Sequence, residues 1–446
     1  MNAGKLVCSL LLSLLTVQLP ACSFNMNVES MLSPPRLTAE QEQIYQKLQN
    51  SVGSQQVRLK YPKYGDHLSA FTIADLDGDG SDEAIVFYES DRTVAEENPL
   101  RIGLFSEQNG EWHSINEYRT DGAEIERIDI TKLGTSPRTY LILSYGMVDG
   151  ADHQASVLYY RDSELIRSIT VPYTAMALRD LDQNGTTELF AANAAKGAPQ
   201  AAALAYSWDE KGRYTQSEVN PDSFTDITQL TYGEIPAKNG QGRVPAVYMD
   251  CVTGATSVQT VVLTYQNNGL EMVYADSGDD LKRSERSGSY QTMDIDGDGE
   301  AEIPVTRTFY GYDGNQTSPI LLTNWFVCRG GRLMREHASY YAAQDGFVFL
   351  LPKRWENQVT AVPQDGETVF YRFDPSRSNP DGTPVLLHPL LRLTVATDPV
   401  TADGYQTDGF LLLRQQNGRY YLGKAEQGSR TLSITDSELL FSMQFL

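Results

Sequence analysis

Three short segments of the 446-residue sequence place oxygen-bearing side chains at alternating positions. Each has Asp at positions 1 and 3, Asp or Asn at position 5, Gly at position 6 and Glu at position 9. Calcium takes six to eight oxygen ligands, so alternate side chains of a tightly curled loop must converge on one ion. Glycine at position 6 permits the sharp turn. We therefore predict three Ca²⁺-binding loops. Their candidate ligands, with a backbone carbonyl expected from position 7, are Asp75, Asp77, Asp79, Ser81 and Glu83; Asp180, Asp182, Asn184, Thr186 and Glu188; and Asp294, Asp296, Asp298, Glu300 and Glu302.

An EF-hand begins with the same spacing, but it also requires a bidentate Glu at position 12 and a helix on each side. Position 12 of the three segments is Val86, Ala191 or Val305. The residues after the first loop, 84–88, are rich in β-branched and aromatic side chains, which favours a strand. The sequence therefore excludes an EF-hand and predicts that the loops lie in β-hairpins.

The three loops are separated from one another by about twice the ~40–50-residue period of a propeller blade. Two weaker copies, 129–133 and 226–230, lie in the gaps. They keep the first Asp and lose the other ligands, so we expect blades without metal there. A second hairpin pattern follows each of the five copies, as at Asn109-Gly110. The two hairpin patterns therefore predict four short strands in each unit, and four strands make one blade.

The expected fold class is mainly β: a β-propeller of four-stranded blades with calcium loops, plus a small C-terminal α+β domain. We expect the propeller over residues 58–338. The repeat fades beyond it, and residues 340–446 contain several strand patterns and a short final helix that Thr435 would cap. The alternative is that this region supplies further blades, because five blades are few in the range of ~4–8.

The loops resemble those of FG-GAP/VCBS repeat proteins, whose integrin-like β-propellers carry calcium in loops of the form Asp-x-Asp-x-[Asp/Asn]-Gly-x-x-Glu. The resemblance extends over residues 60–335, and its motifs are specific to the three loops. It implies that the acids of those loops and Asn184 are calcium ligands. Family membership does not decide the function, because such propellers serve adhesion, catalysis and assembly alike.

The N-terminus has the pattern of an exported protein. Lys5 precedes an apolar run too short to span a bilayer as a mature helix, so we predict a signal peptide over residues 1–21. The sequence Leu19-Pro20-Ala21-Cys22 resembles a bacterial lipobox, which implies lipidation of Cys22. An ordinary signal peptide cut nearby is the alternative. The N-terminal stretch also resembles exported lipoproteins of Gram-positive anaerobes.

Residues 22–37 are expected to be a lipidated, polar tether, and residues 38–53 a short helix. A capping box of Thr38 and Gln41 predicts the start of this helix, and Gly53 predicts its end. We therefore expect a protein on the outer side of the cell membrane, held there by its N-terminal lipid alone.

Charge limits the partners of the chain. The sequence has 36 Lys and Arg against 58 Asp and Glu, a formal charge of −22. This excess repels nucleic acid and favours cations, so we expect no nucleic-acid partner. Residues 418–425 imitate a phosphate loop, but they lack its terminal Ser or Thr and follow a hairpin turn, so no nucleotide is expected.

Two smaller questions concern histidine and cysteine. His67 and His153 each follow an Asp, and we expect both to be surface polar residues. Cys251 and Cys328 remain after the signal peptide is removed. They form either a disulfide, as an exported protein permits, or two buried free thiols.

The sequence favours a cell-surface scaffold in which structural calcium stabilises the propeller and loops on one face bind an unknown surface protein or glycan. The alternative is an exported polysaccharide-acting enzyme, a hydrolase or lyase, with its site at the propeller axis. A third interpretation is an envelope component without a ligand. The sequence contains no Gly-x-Ser-x-Gly or His-Glu-x-x-His motif, which favours binding over catalysis.

Overall fold

The computed structural model describes residues 37–53, 55–91, 93–94, 99–147, 153–194, 201–221, 224–238, 240–274, 278–312 and 319–446. The predicted signal peptide, Cys22 and the tether up to residue 36 lie outside these residues. The described chain is mainly β, with six antiparallel sheets.

The first three sheets follow the order of the chain, and most strands pair with the next one in sequence. Sheet 1 contains Val57–Leu59 (β1), Phe71–Ala74 (β2), Glu83–Ser90 (β3), Arg101–Gln108 (β4) and Glu111–Arg119 (β5). Sheet 2 contains Glu124–Lys132 (β6), Thr139–Gly146 (β7), His153–Arg161 (β8) and Glu164–Tyr173 (β9). Sheet 3 contains Ala175–Arg179 (β10), Glu188–Asn193 (β11), Ala202–Trp208 (β12) and Tyr214–Val219 (β13).

The next three sheets continue this order. Sheet 4 contains Asp226–Pro236 (β14), Arg243–Val252 (β15), Ser257–Gln266 (β16), Gly269–Met272 (β17) and Arg286–Ser287 (β18). Sheet 5 begins with Ile303–Thr308 (β19), Leu321–Arg329 (β20), Arg332–Ala342 (β21) and Phe347–Leu350 (β22). Sheet 6 contains Val359–Gln364 (β23), Glu367–Ser378 (β24), Pro384–Ala396 (β25), Leu411–Gln416 (β26) and Arg419–Ala425 (β27). The last strand, Met443–Phe445 (β28), returns to pair with β22 of sheet 5.

The four-stranded unit predicted from the repeat is confirmed in sheets 2 and 3, each of which is a simple antiparallel series of four strands. The two weaker copies of the motif, 129–133 and 226–230, begin on the first strands of sheets 2 and 4. The strands that flank the loops also confirm that none of the loops belongs to an EF-hand.

Consecutive sheets pack against each other through shared hydrophobic clusters. Phe87 of sheet 1 and Leu141 of sheet 2 belong to one cluster, and Val157 of sheet 2 and Leu204 of sheet 3 to another. Further clusters join sheets 3, 4 and 5, and then sheets 5 and 6. Strands such as β3 are buried along their whole length because both faces are covered, which explains their continuous apolar sequence.

Helices cover the outer faces of the first and last sheets. Helix Ala39–Val52 (α1) has the predicted capping box and Gly53 end. Its buried residues Ile44 and Leu48 share a cluster with alternate residues of β3, on the face opposite to sheet 2. Two further helices follow α1 in sequence, Gly278–Arg283 (α2) and Pro399–Thr407 (α3). Helix α3 packs on sheet 6 through Ala402. The final helix is Asp436–Ser442 (α4), which Thr435 caps as predicted.

The predicted boundary between propeller and C-terminal domain needs correction. Residues 338–340 lie inside strand β21, which is continuous from Arg332 to Ala342. Strands β22 and β28 extend sheet 5, and the cluster around Trp355 and Phe370 packs sheet 6 against sheet 5. Residues 340–446 therefore complete one sheet and form the next. The helices that suggested an α+β domain are short additions to these sheets.

A buried ion pair positions the chain just before the third acidic loop. The side chain of Arg286 is fully buried, and its Nη2 lies 2.7 Å from Oδ2 of Asp250 on β15. Asp250 also accepts hydrogen bonds from the hydroxyl of Thr260 and from the amide and hydroxyl of Thr292. Thr292 is two residues before the loop, so this network fixes the loop relative to sheet 4.

Replacing Arg286 with Met should lower the free energy of unfolding by about 3–5 kcal/mol, because it leaves the Asp250 carboxylate buried without its partner. Chemical denaturation monitored by fluorescence measures this loss. Arg332→Met is the matched control, because Arg332 is exposed on β21 and should change stability by less than about 0.5 kcal/mol. Equal losses in the two variants would contradict the role of the pair.

Candidate metal-binding loops

Each acidic loop lies at the start of a strand, at the end of a sheet. Residues 75–83 join β2 to β3, and residues 180–188 join β10 to β11. The third loop, 294–302, precedes β19, and the backbone groups of Met293 and Glu302 pair across its base. The three loops therefore occupy equivalent positions in sheets 1, 3 and 5.

The aspartate at position 1 organises the turn of each loop. In the first loop, Oδ1 of Asp75 accepts a hydrogen bond from the amide of Gly78 at 2.7 Å, and Oδ2 accepts one from Gly80 at 3.0 Å. Asp294 makes the same two contacts with the third loop, at the same distances. Asp180 accepts from the amides of Asn184 and Gly185. The first ligand position thus holds the loop curled before any ion binds.

In each loop, the residues at positions 4 and 6 both adopt a left-handed backbone conformation. Gly80 at position 6 has φ +89°, as the sequence predicts, but Gly78 at position 4 also has a positive φ of 83°. This second requirement was not predicted, although Gly recurs at position 4 in two of the three loops. In the middle loop the position is filled by Gln183, whose φ of 59° is unfavourable for a residue with a side chain.

The glutamate at position 9 is buried in every loop and ties the loop to the sheet. One carboxylate oxygen accepts the amide hydrogen of position 2, which is Leu76, Leu181 or Ile295, at 2.9 to 3.0 Å. Burial, together with the charges of the neighbouring aspartates, raises the pKa of Glu83 to about 7 and that of Glu302 to about 8. Burial also raises the pKa of Glu188.

The loops bring together carboxylate oxygens that lie within 4.8 Å of one another. The groups are Asp75, Asp77 and Glu83; Asp180, Asp182 and Glu188; and Asp294, Asp296, Asp298 and Glu302. Ligands on opposite sides of one calcium ion are separated by about twice the ~2.3–2.6 Å metal–oxygen distance, so these spacings are compatible with a shared ion. Each group could therefore hold a metal ion.

The buried carboxylate of Glu302 supports this interpretation independently. Its Oε2 accepts the amide of Ile295, whereas its Oε1 is buried and has no hydrogen-bond partner. An unpartnered buried carboxylate oxygen costs free energy. A cation between Glu302 and the aspartates would remove that cost, so the donor set fits a hard metal ion.

Other predicted ligands make different contacts. Oδ1 of Asp79 accepts the amide of Ser81, and Oδ1 of Asn184 accepts the amide and the hydroxyl of Thr186. Asp79 is outside the group of close carboxylates, unlike Asp298 at the same position of the third loop.

The side chain of Glu300, at position 7 of the third loop, pairs with two arginines. Its Oε2 lies 2.9 Å from Nη2 of Arg329 and 3.1 Å from Nη2 of Arg243. The arginines therefore neutralise this carboxylate, and the ligand expected from position 7 is the backbone carbonyl.

The first hairpins of sheets 2 and 4, which carry no metal-binding loop, contact the acidic loops of the next sheet. The amide of Gly134, between β6 and β7, donates to the carbonyl of Thr187 in the second loop at 2.8 Å. The amide of Glu234 on β14 donates to the carbonyl of Gly299 in the third loop at 2.7 Å. Arg243 adds a hydrogen bond to the carbonyl of Asp298 at 2.6 Å. Sheets 2 and 4 are therefore attached to the loops of sheets 3 and 5.

One histidine approaches the third loop from a distant part of the sequence. His337 lies on β21, and its Nε2 is 3.0 Å from Oδ2 of Asp296. Together with Glu302, these residues form a second group of potential ligands within 4.8 Å. Neither His337 nor Arg243 was predicted, because they reach the loop through strand pairing and sheet packing and not through spacing.

A cavity of about 350 Å³ lies where the first strands of sheets 2, 3 and 4 approach one another. Its lining includes Tyr64, Arg127, Tyr173, Met176 and Tyr232. None of the described residues that line it is a carboxylate.

His153 is near this cavity and is more constrained than the surface residue predicted. Its Nδ1 lies 2.8 Å from Oε2 of the buried Glu126, and its ring stacks on Tyr173 with centroids 5.5 Å apart. The hydroxyl of Tyr64 is 3.5 Å from the same Glu126 oxygen.

Both remaining cysteines, Cys251 and Cys328, are buried and free, which decides between the two alternatives left by the sequence. Burial raises the pKa of both thiols, so they are unreactive members of the core. In the part of the chain that the structure describes, no helix has both the length and the apolar character needed to cross a membrane.

No protein-family model matches the sequence, and no curated protein matches it. Among solved structures, a Bacillus licheniformis rhamnogalacturonan lyase is 10% identical over 75% of this chain and 84% of its own, with a TM-score of 0.27. An exotype rhamnogalacturonan lyase is 14% identical over 72% of this chain and 62% of its own, with a TM-score of 0.26.

A hypothetical selenium-binding protein from Sulfolobus tokodaii is 12% identical over 48% of this chain, with a TM-score of 0.25. The match spans 55% of the length of that protein. Similarities at these TM-scores decide neither fold nor function, and the conclusions below depend on the geometry of the loops.

In chelator, the melting temperature should fall as the pH is raised from about 5 to about 8.5. The raised pKa values of Glu83 and Glu302 mean that the folded state binds more protons than the unfolded state in this range, so stability decreases with pH. Differential scanning calorimetry at several pH values measures the effect.

In that experiment Glu302→Gln should reduce the pH-dependent fall in melting temperature, because the glutamine amide does not ionise. Glu111→Gln, a change at an exposed position of β5, is the matched control and should behave as the wild type. A melting temperature in chelator that rises steadily with pH would contradict the prediction.

Proposed function

We propose that this protein is an exported, lipid-anchored protein of the cell surface, in which Ca²⁺ ions in the three loops stabilise a β-sheet scaffold that binds a surface protein or a glycan. The observation that carries the calcium assignment is the group of carboxylates within 4.8 Å at each loop, together with the buried, unpartnered Oε1 of Glu302, a member of the third group.

The ligand chemistry favours calcium over other hard cations. The side-chain donors at the first two loops are carboxylate oxygens alone, and a backbone carbonyl is expected from position 7. Calcium accepts six to eight such ligands in flexible geometry, whereas magnesium requires near-ideal octahedral geometry at 2.0–2.1 Å. We also propose that the loops are of the FG-GAP/VCBS type, because each has the ligand spacing and has antiparallel backbone pairing across its base.

We further propose that the six sheets are propeller-like blades. Their packing in sequence order supports this arrangement, as does the cavity lined by the first strands of sheets 2, 3 and 4. The outer faces of sheets 1 and 6 are covered by α1 and α3. In the part of the chain that the structure describes, helices therefore cover the two outermost sheets of the series.

Removing calcium should lower the melting temperature of the whole chain. A ligand that binds only the folded state stabilises it by about 2.7 kcal/mol per site when its free concentration is about 100 times Kd. Calorimetric Ca²⁺ titration, combined with melting curves in chelator and in excess Ca²⁺, tests the proposal. Identical melting curves in the two conditions would contradict it.

Variants that change one loop at a time show which loops bind Ca²⁺ and how tightly. We expect the middle loop to be the weakest site, because it offers Asn184 where the others have a carboxylate, and ligand charge tunes calcium affinity. Asp182→Asn should therefore remove the weakest binding step, whereas Asp77→Asn should remove a stronger one. Asn184→Asp should strengthen the middle site, and Asn268→Asp, in the β16–β17 turn, is its control. Equal losses from all loops would contradict this order.

The second candidate function is a polysaccharide-acting enzyme. The observation that favours it is the group around the inner cavity, in which Glu126 orients His153 against Tyr173 and Arg127 supplies a cation. A histidine oriented by a carboxylate is suited to proton transfer, and an arginine is suited to binding an acidic sugar. The described lining residues include no carboxylate, so the group fits elimination at a uronic acid better than two-carboxylate hydrolysis.

Incubation with uronate-containing and neutral polysaccharides tests this function through the ultraviolet absorbance of unsaturated products and through reducing ends. We expect any eliminating activity to be lost in His153→Ala and kept in His113→Ala, which changes an exposed histidine of β5. Activity that survives in His153→Ala would exclude this site, and products from neither substrate class would leave the scaffold as the function.

A further inference from the structure

The third loop differs from the other two because an imidazole enters its ligand group. His337 places Nε2 at 3.0 Å from Oδ2 of Asp296, and a carboxylate oxygen of Glu302 lies within 4.8 Å of both. The groups at the first two loops contain carboxylates alone. The third loop therefore presents a mixed nitrogen and oxygen donor set.

This donor set changes the preferred metal. Calcium is bound almost entirely by oxygen, whereas imidazole suits first-row transition metals such as zinc, and carboxylates suit these metals as well. Adjacent ligands about 2.0–2.2 Å from one ion lie about 3 to 3.5 Å apart. The separation of His337 Nε2 and Asp296 Oδ2 is in this range, so both atoms can contact one small ion without a change in the backbone.

Burial supplies the second, independent observation. The side chain of Glu302 is fully buried, and its Oε1 has no hydrogen-bond partner. His337 is about one-quarter exposed. One side of the group is therefore shielded and the other is open to solvent, which gives an ion a path of entry and leaves room for water to complete its coordination.

We propose that the third loop is a transition-metal site in which Asp296, Glu302 and His337 bind a divalent ion of the Mn²⁺ to Zn²⁺ series. The proposal deepens the proposed function and rests on it, because Asp296 and Glu302 are also the calcium ligands of this loop. Calcium and the transition metal compete for the third loop, while the first two loops remain calcium sites. The protein thus carries two classes of metal site in equivalent positions of alternate sheets.

Cobalt is the probe, because it replaces zinc and manganese in such sites and has visible absorption bands that report nitrogen ligation. The full chain, freed of metal with chelator, is titrated with Co²⁺. We expect visible bands that saturate at one equivalent. In His337→Ala and His337→Asn, Co²⁺ binding should weaken by at least about tenfold, because even the loss of a group that only orients a ligand costs about 10–100-fold.

Two sets of controls distinguish loss of the cobalt site from misfolding and from loss of the calcium sites. His113→Ala and Glu111→Gln should keep the cobalt bands, because they change an exposed histidine and an exposed carboxylate outside the loops. The His337 variants should keep the Ca²⁺-dependent rise in melting temperature, which shows that they fold and that the calcium sites persist.

Unchanged Co²⁺ affinity in His337→Ala overturns the proposal, as does a wild-type protein that is stabilised by Ca²⁺ but binds no Co²⁺. A protein that responds to neither metal overturns the proposed function as well.

Discussion

In each of the three loops, a buried glutamate carboxylate accepts the amide hydrogen of the second loop position, and this contact fixes the loop to the end of its sheet. Asp at position 1 accepts two further amides and curls the chain around itself. The result is a set of acids that the backbone holds close together even though they repel one another. Burial raises the pKa of Glu83 and of Glu302, and the charges of the neighbouring aspartates add to this effect, so a proton or a cation would stabilise both carboxylates.

The sheets provide the rigid base that makes such crowding possible. Alternate residues of β3 pack on sheet 2 and on α1, so the strand that carries Glu83 is held from both sides. The third loop is held by the Arg286–Asp250 pair before it and by Arg243 and Arg329 beside it. Because these contacts are buried or charged, the loop cannot relax simply by opening. The free energy of sheet packing is what keeps the carboxylates together.

The sequence predicted the elements whose signals are local. The ligand spacing predicted the three loops, the capping residue Thr38 predicted helix α1, and the repeat predicted the four-stranded units. The failures involve contacts between distant residues. His337 is 41 residues from Asp296 and meets it only because β21 lies in the same sheet as the loop. Residues 340–446 read as a separate domain because their repeat is weak, and only the pairing of β22 and β28 with sheet 5 shows otherwise.

Hairpins with and without a metal-binding loop alternate along the series of sheets, and this alternation has a physical consequence. The first hairpins of sheets 2 and 4 lack ligands, and each donates backbone hydrogen bonds to the acidic loop of the following sheet. A Cβ on Gly134 would lie 2.2 Å from the carbonyl oxygen of Trp208, so the first of these contacts requires glycine and close packing. An ion in the second or third loop would therefore stabilise two sheets, the one that carries the loop and the one attached to it. Three sites would then act on sheets 1 to 5 of the series, since sheets 2 and 4 share the loops of the sheets that follow them.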